Sequence, residues 1–329
     1  MSEQFKWGII GCGLIAPKFF HALKNTGEGR VVAAASKSMR RARRLQKRLG
    51  IENVYGSYAE MLERENLDAV YIATSHNFHY ENTKLCFEHN LPVLVEKAFT
   101  RNTVEAKELI DIAEQRKLFL MEAMWTRFNP ATVKVRELLA EEAVGEVTVM
   151  KAAFCIKMPL SMKTMPWNRM YNPRLAGGAL LDLGVYPLAY AQMVFGQNPA
   201  RISGSAKMAW TGVDKTSEYH LDYGGGRSAE LITSFVEERS RDVVITGTKG
   251  IIRVPNFHGA DQFIVTRSGS APETVQCEAS GFEHEICEVH RCLREGLIES
   301  PGMTHAETLD VMRTADSLRA LWGMKYPGE

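Results

Sequence analysis

Phe5-Lys6-Trp7-Gly8-Ile9-Ile10-Gly11-Cys12-Gly13-Leu14-Ile15-Ala16 is the stretch whose reading decides the fold. Phe5 to Ile10 is apolar enough for a buried strand, and it runs directly into a G-x-G-x-x-A turn with a helix expected through about Lys24. The two glycines permit a tight turn and let backbone amides approach a pyrophosphate, while the small Ala16 keeps helix and strand close. Such a motif is weak alone. Here a strand precedes it, a helix follows it and a second strand is expected over Val31 to Ala35, so Gly11, Gly13, Leu14 and Ile15 read as a dinucleotide site.

The second strand bears on which dinucleotide. A free ribose 2′-hydroxyl is usually met by an acid about 20 residues past the glycines, yet no acidic residue lies between Glu28 and Glu52. Ser36-Lys37-Ser38-Met39-Arg40-Arg41 stands there instead, followed by Arg43, Arg44, Lys47 and Arg48. Met39, Ala42, Leu45 and Leu49 form the expected buried stripe of a helix, which makes many of these bases its solvated face. Arg40 and Arg41 would oppose the helix dipole in its first turn, and a bound phosphate would offset that. Ser36, Lys37 and Arg41, with Arg40 beside them, therefore read as a 2′-phosphate site, favouring NADP over NAD.

Further along, helix and strand keep alternating. A strand over Leu67 to Ala73 leads into the polar loop Thr74-Ser75-His76-Asn77-Phe78-His79, which would pass over the cofactor. His76 and His79 could be ligands or proton carriers, or could serve in caps and loop hydrogen bonds. Leu91-Pro92-Val93-Leu94-Val95-Glu96-Lys97-Ala98-Phe99 is a central strand ending in an acid and a base. Open α/β sheets bind ligands at that carboxyl end, though a surface ion pair would look the same. Together with a helix near Thr103 to Arg116 and a strand at Leu118 to Met121, these elements make residues 1–122 a Rossmann domain.

After Met121 the pattern changes. Trp125, Arg127 and Phe128 crowd a short connection, and a helix is expected over Ala131 to Glu141. From Val147 to Arg267 come short strands joined by tight turns, such as Gly224-Gly225-Gly226, which imply a large and mainly antiparallel open sheet. Residues 123–329 thus read as an α+β domain for substrate binding and oligomerisation, closed by two helices. Within it, Ala176-Gly177-Gly178-Ala179-Leu180-Leu181-Asp182-Leu183-Gly184-Val185-Tyr186-Pro187 is informative. If a helix opens at Gly178, Asp182 and Tyr186 share one face. Gly184 inside a helix costs about 1 kcal/mol against alanine, which close packing at that point would explain.

Composition bounds the rest. The 329 residues are 45% hydrophobic and 24% charged, with a formal net charge of +1, so no strong affinity for nucleic acid or membrane is expected. No run of about 18 apolar residues is present, and the N-terminus lacks a basic leader with a long apolar segment, so the expected location is cytoplasmic. Six cysteines without a C-x-x-C pair suit free thiols in a reducing compartment. His284, Cys287 and His290 have helical spacing, but no second ligand cluster accompanies them and no metal is expected.

The glycine turn, Glu96-Lys97 ending its strand, and Gly-Gly-Ala-Leu-Leu-Asp-x-Gly-x-Tyr before an antiparallel sheet resemble the glucose-fructose oxidoreductase and inositol dehydrogenase family. The resemblance runs through the closing Asp316-Ser317-Leu318-Arg319 and Tyr326-Pro327. Leu118 to Phe128 and Ala176 to Tyr186 are similar to its branch of dimeric dihydrodiol dehydrogenases and NADP-dependent D-xylose 1-dehydrogenases. The resemblance implies that Lys97 is the catalytic lysine, Tyr186 the proton donor or acceptor, and Asp182 the acid of the substrate site. It implies cofactor contacts from Gly11, Gly13, Lys37, Arg41 and His79, a nicotinamide side lined by Thr74, Asn77, Glu96 and Lys97, and a substrate wall of Trp125, Arg127 and Phe128. A homodimer through the exposed face of the second sheet is implied as well. Relatives usually carry proline after the lysine, where this chain has Ala98.

The implied reaction moves hydride between nicotinamide and a cyclic polyol or sugar, a D-xylose-like aldose or a trans-dihydrodiol. Tyr186 would handle the hydroxyl proton, and the Lys97 ammonium would lower its pKa from about 10. Two alternatives stay within the fold, a ketosugar reductase and an inositol-type dehydrogenase. A third is an NADP-binding regulatory protein without turnover, which fold analogy does not separate.

Overall fold

The computed structural model describes residues 4–158, 168–279 and 281–329. Six strands, β1 (Phe5–Ile10), β2 (Gly29–Ala35), β3 (Asn53–Tyr55), β4 (Ala69–Ile72), β5 (Val93–Glu96) and β6 (Leu120–Ala123), form a parallel sheet in the order β3-β2-β1-β4-β5-β6. This is the Rossmann order, with its switch point between β1 and β4. The crossovers are α1 (Ala16–Thr26), α2 (Met39–Leu49), α3 (Tyr58–Arg64), α4 (His79–Glu88) and α5 (Thr103–Arg116). Every residue of β4, β5 and β6 is buried, as expected of strands covered by helices on both faces.

Local signals set the helix ends. Pro17 stands in the first turn of α1, where its missing N–H costs nothing, and Gly27 ends the helix at φ +69°. Asn102 caps α5 by accepting the Glu105 N–H. In α2 the buried stripe is narrower than expected: Ala42 and Leu45 are buried, while Met39, at the helix start, is 36% exposed.

The second sheet has eight strands: β7 (Val147–Cys155), β8 (Arg201–Met208), β9 (Asp214–Gly224), β10 (Arg227–Ser234), β11 (Val243–Gly247), β12 (Gly250–Val254), β13 (Gln262–Arg267) and β14 (Glu273–Gln276). Their order is β14-β13-β12-β11-β7-β10-β9-β8, and every neighbouring pair is antiparallel except β7 with β10. The edge strand β14, not foreseen from the sequence, has no buried residue and hence no apolar alternation to reveal it. Helices α6 (Pro130–Ala140) and α7 (Val185–Phe195) belong to this half of the chain. The segment Pro173–Phe195 is long and apolar enough to cross a membrane, but 89% of its most apolar 18-residue stretch is buried, which fits a core helix.

The chain divides into two compact units, Met1–Trp125 with Gly281–His305, and Thr126–Ser280 with Ala306–Glu329. The sequence suggested one crossing near residue 122, but the chain returns. Helix α8 (Glu283–Arg294) belongs to the nucleotide-binding unit, where His290 stacks on Phe5 at 4.3 Å and its Nε2 accepts the Trp7 indole N–H at 3.0 Å. Burial holds His290 well below the ordinary histidine range, at about 4, which suits an acceptor. Helix α9 (His305–Leu321) lies almost wholly in the other unit.

Candidate active site

At the switch point of the parallel sheet, Gly11 has φ +105°, and a Cβ there would sit 2.8 Å from the backbone of Ala73. Only glycine fits. Gly13 has open space instead, the nearest atom to its absent Cβ being 3.8 Å away, as needed where a ligand approaches the backbone. Leu14 is 95% exposed at the turn, and Ile15 precedes the first turn of α1, where Pro17 has no N–H and the Lys18 and Phe19 N–H groups bond the Ile15 carbonyl at 2.9 and 3.2 Å.

At the end of β2, Ser36 is buried and its Oγ accepts the Ser38 N–H at 3.2 Å. Lys37 lies with Nζ 5.0 Å from the centre of the Phe78 ring, and Arg41 stands exposed in the first turn of α2, which contains no acid. In the loop after β4, Asn77 has a buried Oδ1 without a hydrogen-bond partner among the described residues. A glycine cradle, an acid-free cationic corner and an orphaned acceptor together fit a dinucleotide carrying a 2′-phosphate.

His79, expected among the cofactor contacts, has both ring nitrogens against backbone carbonyls. Its ring is fully buried, with Nδ1 2.9 Å from the Ala98 carbonyl and 3.2 Å from that of Phe99, and Nε2 3.1 Å from the Thr74 carbonyl. It clamps the loop after β4 to the segment after β5. Asn82 donates to Thr74 Oγ1 at 3.1 Å, Glu122 accepts the Phe99 N–H at 3.1 Å, and Glu96 accepts the Tyr71 hydroxyl. The Lys97–Ala98 peptide is cis. Lys97 is thus carried on a segment pinned by His79 and Glu122. His76, also buried, sets its ring edge-on to His79 at 5.7 Å.

In the second unit, the helix carrying the Gly-Gly motif begins with a π-turn, Leu180–Gly184, and continues as α7. That differs from the regular helix expected from Gly178, and such turns recur at functional sites. Gly177 and Gly178 each have a neighbour that excludes a side chain, and Gly184 has a tight one. A Cβ on Gly177 would meet the Arg169 carbonyl at 2.4 Å, one on Gly178 the Asp214 carboxylate at 2.3 Å, and one on Gly184 the Tyr219 hydroxyl at 3.0 Å. Asp182, 2% exposed, pairs with Arg169 at 2.5 Å. The Tyr186 ring packs edge-on against His258 at 4.6 Å and Phe154 at 5.4 Å.

Arg127 departs from the expected substrate wall. Its side chain is 3% exposed, donates to the Ala189 carbonyl at 3.1 Å and pairs with Glu307, so its charge is committed to tying helices together. Trp125 and Phe128 are each 8% exposed, Trp125 lying 5.8 Å from Phe282. Arg169, His258 and Asp214 were not singled out from the sequence, because each is a lone polar residue in a turn or at a strand end.

A Rossmann unit with a basic corner at the end of β2, followed by a large open sheet, defines a class. Residues 5–124 match the family described as oxidoreductases with an NAD-binding Rossmann fold, and residues 132–253 match the GFO/IDH/MocA C-terminal domain. The chain belongs to this oxidoreductase family. Among individual relatives it is 33% identical to the trans-1,2-dihydrobenzene-1,2-diol dehydrogenase of Sus scrofa, over 98% of both chains. It is also 33% identical to the NADP-dependent D-xylose 1-dehydrogenase of Hypocrea jecorina, over 98% of this chain and 93% of that one. Among solved structures, a 3-ketoreductase from Actinomadura kijaniata in complex with NADP and TDP-benzene has a TM-score of 0.84 at 25% identity, covering 97% of this chain and 98% of that one.

Proposed function

We propose that this oxidoreductase is an NADP-dependent dehydrogenase of cyclic vicinal diols or aldoses, with D-xylose and trans-dihydrodiols as representative substrates. The observation that carries the reading is similarity over almost the whole chain to two dehydrogenases named for such substrates. The basic end of β2 supports the cofactor. NADP, when bound, accepts or returns the hydride.

The chain's own residues do the rest. Ser36, Lys37 and Arg41 bind the 2′-phosphate, and the amides from Gly13 to Ile15 bind the pyrophosphate. Tyr186 exchanges the hydroxyl proton, and Lys97 supplies the cation that favours its phenolate. Asp182, oriented by Arg169, accepts hydrogen bonds from substrate hydroxyls. Trp125 and Phe128 offer apolar surface to a ring, while His79 and Glu122 keep the Lys97 segment in place.

The test is a panel of aldoses, cyclic diols and dicarbonyls with NADP and NADPH, followed by absorbance of the reduced nicotinamide. Oxidation of D-xylose, a close aldose or a cyclic dihydrodiol is expected, and turnover confined to acyclic 2-hydroxy acids would sink the reading. Similarity to the 3-ketoreductase gives the reductive direction its own place in the panel. A homodimer is proposed through the second sheet, supported by the exposed residues of β8, and light scattering should report twice the 36.9 kDa chain mass. A reducing, cytoplasmic location is proposed from the six free cysteines, and cell fractionation tests it.

A further inference from the structure

Beneath the turn that carries Asp182 lies a carboxyl group with no direct part in the proposed reaction. Asp214, the first residue of β9, is fully buried. Its Oδ2 accepts the Leu180 N–H at 2.9 Å and the Ser217 hydroxyl at 3.2 Å, and Ser217 also bonds Thr233 at 2.9 Å. Leu180 opens the π-turn, and the N–H groups at such an opening lack acceptors within the helix. A carboxylate there supplies the acceptor and complements the helix dipole. Gly178 is shaped around the same group, since any Cβ would fall 2.3 Å from Asp214 Oδ1.

We propose that Asp214 is a positioning residue: its carboxylate fixes the start of the π-turn, and thereby Asp182 and Tyr186, and its protonation loosens that grip and gives turnover an acid limb. The inference rests on the reading of Asp182 and Tyr186 as substrate and proton residues. Burial lifts the Asp214 carboxyl to about 7, against the lowering effect of Leu180 and Ser217, and the charge of Asp182 adds to the rise. The other groups around it are accounted for. Asp182 is paired with Arg169, while Tyr326 donates to the Gly177 carbonyl at 2.7 Å under the Arg319 guanidinium. Burial pushes Tyr326 well above the usual tyrosine range, and Tyr219, on Asp214's own strand, is also raised, so both stay neutral near pH 7.

The experiment compares pH profiles of kcat for the wild type, Asp214→Asn, Ser217→Ala and Tyr186→Phe on the best substrate of the aldose and diol panel, with NADP binding measured separately. Asp214→Asn should lose about 10- to 100-fold in kcat, as for a misplaced reacting group, and should lack the acid limb, with NADP affinity kept within about twofold. Ser217→Ala removes one donor to the carboxylate and should move the limb to higher pH. Should Asp214→Asn not fold, Ser217→Ala and a ¹³C NMR titration of aspartate-labelled wild type decide. A buried carboxyl titrating near pH 7 supports the proposal, and its absence overturns it. Tyr186→Phe with wild-type kcat would overturn the underlying mechanism. An inactive Tyr186→Phe beside unchanged profiles for the two Asp214-site variants would overturn the positioning role alone.

Discussion

Tyr186 is the residue on which the chemistry is most exposed to test. Tyr186→Phe removes one hydroxyl and leaves the ring against His258 and Phe154, so kcat should fall by about 10² to 10⁴ while NADP affinity stays unchanged. Gly178→Ala acts on structure instead: at φ +119° and with Asp214 in its path, alanine should cost about 2 kcal/mol or more, read as a drop in urea midpoint. Asp214 also makes stability depend on pH. Its folded pKa, about 7, lies above the unfolded value of about 3.9, so its contribution is fully present below about pH 4 and is lost as pH rises to about 7. The size of that loss is roughly 4 kcal/mol at most. Asp214→Asn should remove this slope, measured as Tm against pH.

At the scale of elements, α2 and α8 separate two roles that charge and periodicity left mixed. If the first turn of α2 binds a 2′-phosphate, Lys37→Ala with Arg41→Ala should weaken NADP by tenfold or more and leave NAD nearly unchanged, an estimate of about 1.5 kcal/mol or more for lost charge-assisted bonds. Equal losses for both would make the basic run a solvated face. On α8, His290 is an acceptor for Trp7 with its pKa depressed to about 4, below the unfolded value of about 6.5. Its contribution is present above about pH 6.5 and lost as pH falls toward 4, opposite in sign to Asp214. His290→Gln should flatten that acid loss in a thermal melt series.

For the whole molecule, the return of the chain to its first unit has a direct consequence. A fragment ending at Trp125 lacks α8, and Phe5 and Trp7 lose the His290 ring that covers them. Burial of such side chains is worth about 1.5 to 3 kcal/mol each, so the fragment should melt early and bind an apolar dye, whereas the full chain should not. A fragment as stable as the full chain would show that α8 is dispensable.

How much was legible follows from how local each signal is. The strand before Gly11, the acid-free run after β2, and the burial of Val93 to Val95 rest on spacing and side-chain type within a few residues, so the amino-acid order alone determined the Rossmann unit and the basic run at the end of β2. The mainly antiparallel second sheet was legible from its turns, though not the parallel pairing of β7 with β10, because register arises between distant strands. The two glycines of the Gly-Gly motif were conspicuous, but their cause was not. Only tertiary structure brings Asp214 against Gly178 and the Arg169 carbonyl against Gly177. It likewise turned Arg127 inward onto Glu307, made His79 a clamp, and sent α8 back to the first unit. A side chain's type sets which bonds it can make; which partner lies within reach is set by the packing of segments far apart in the chain.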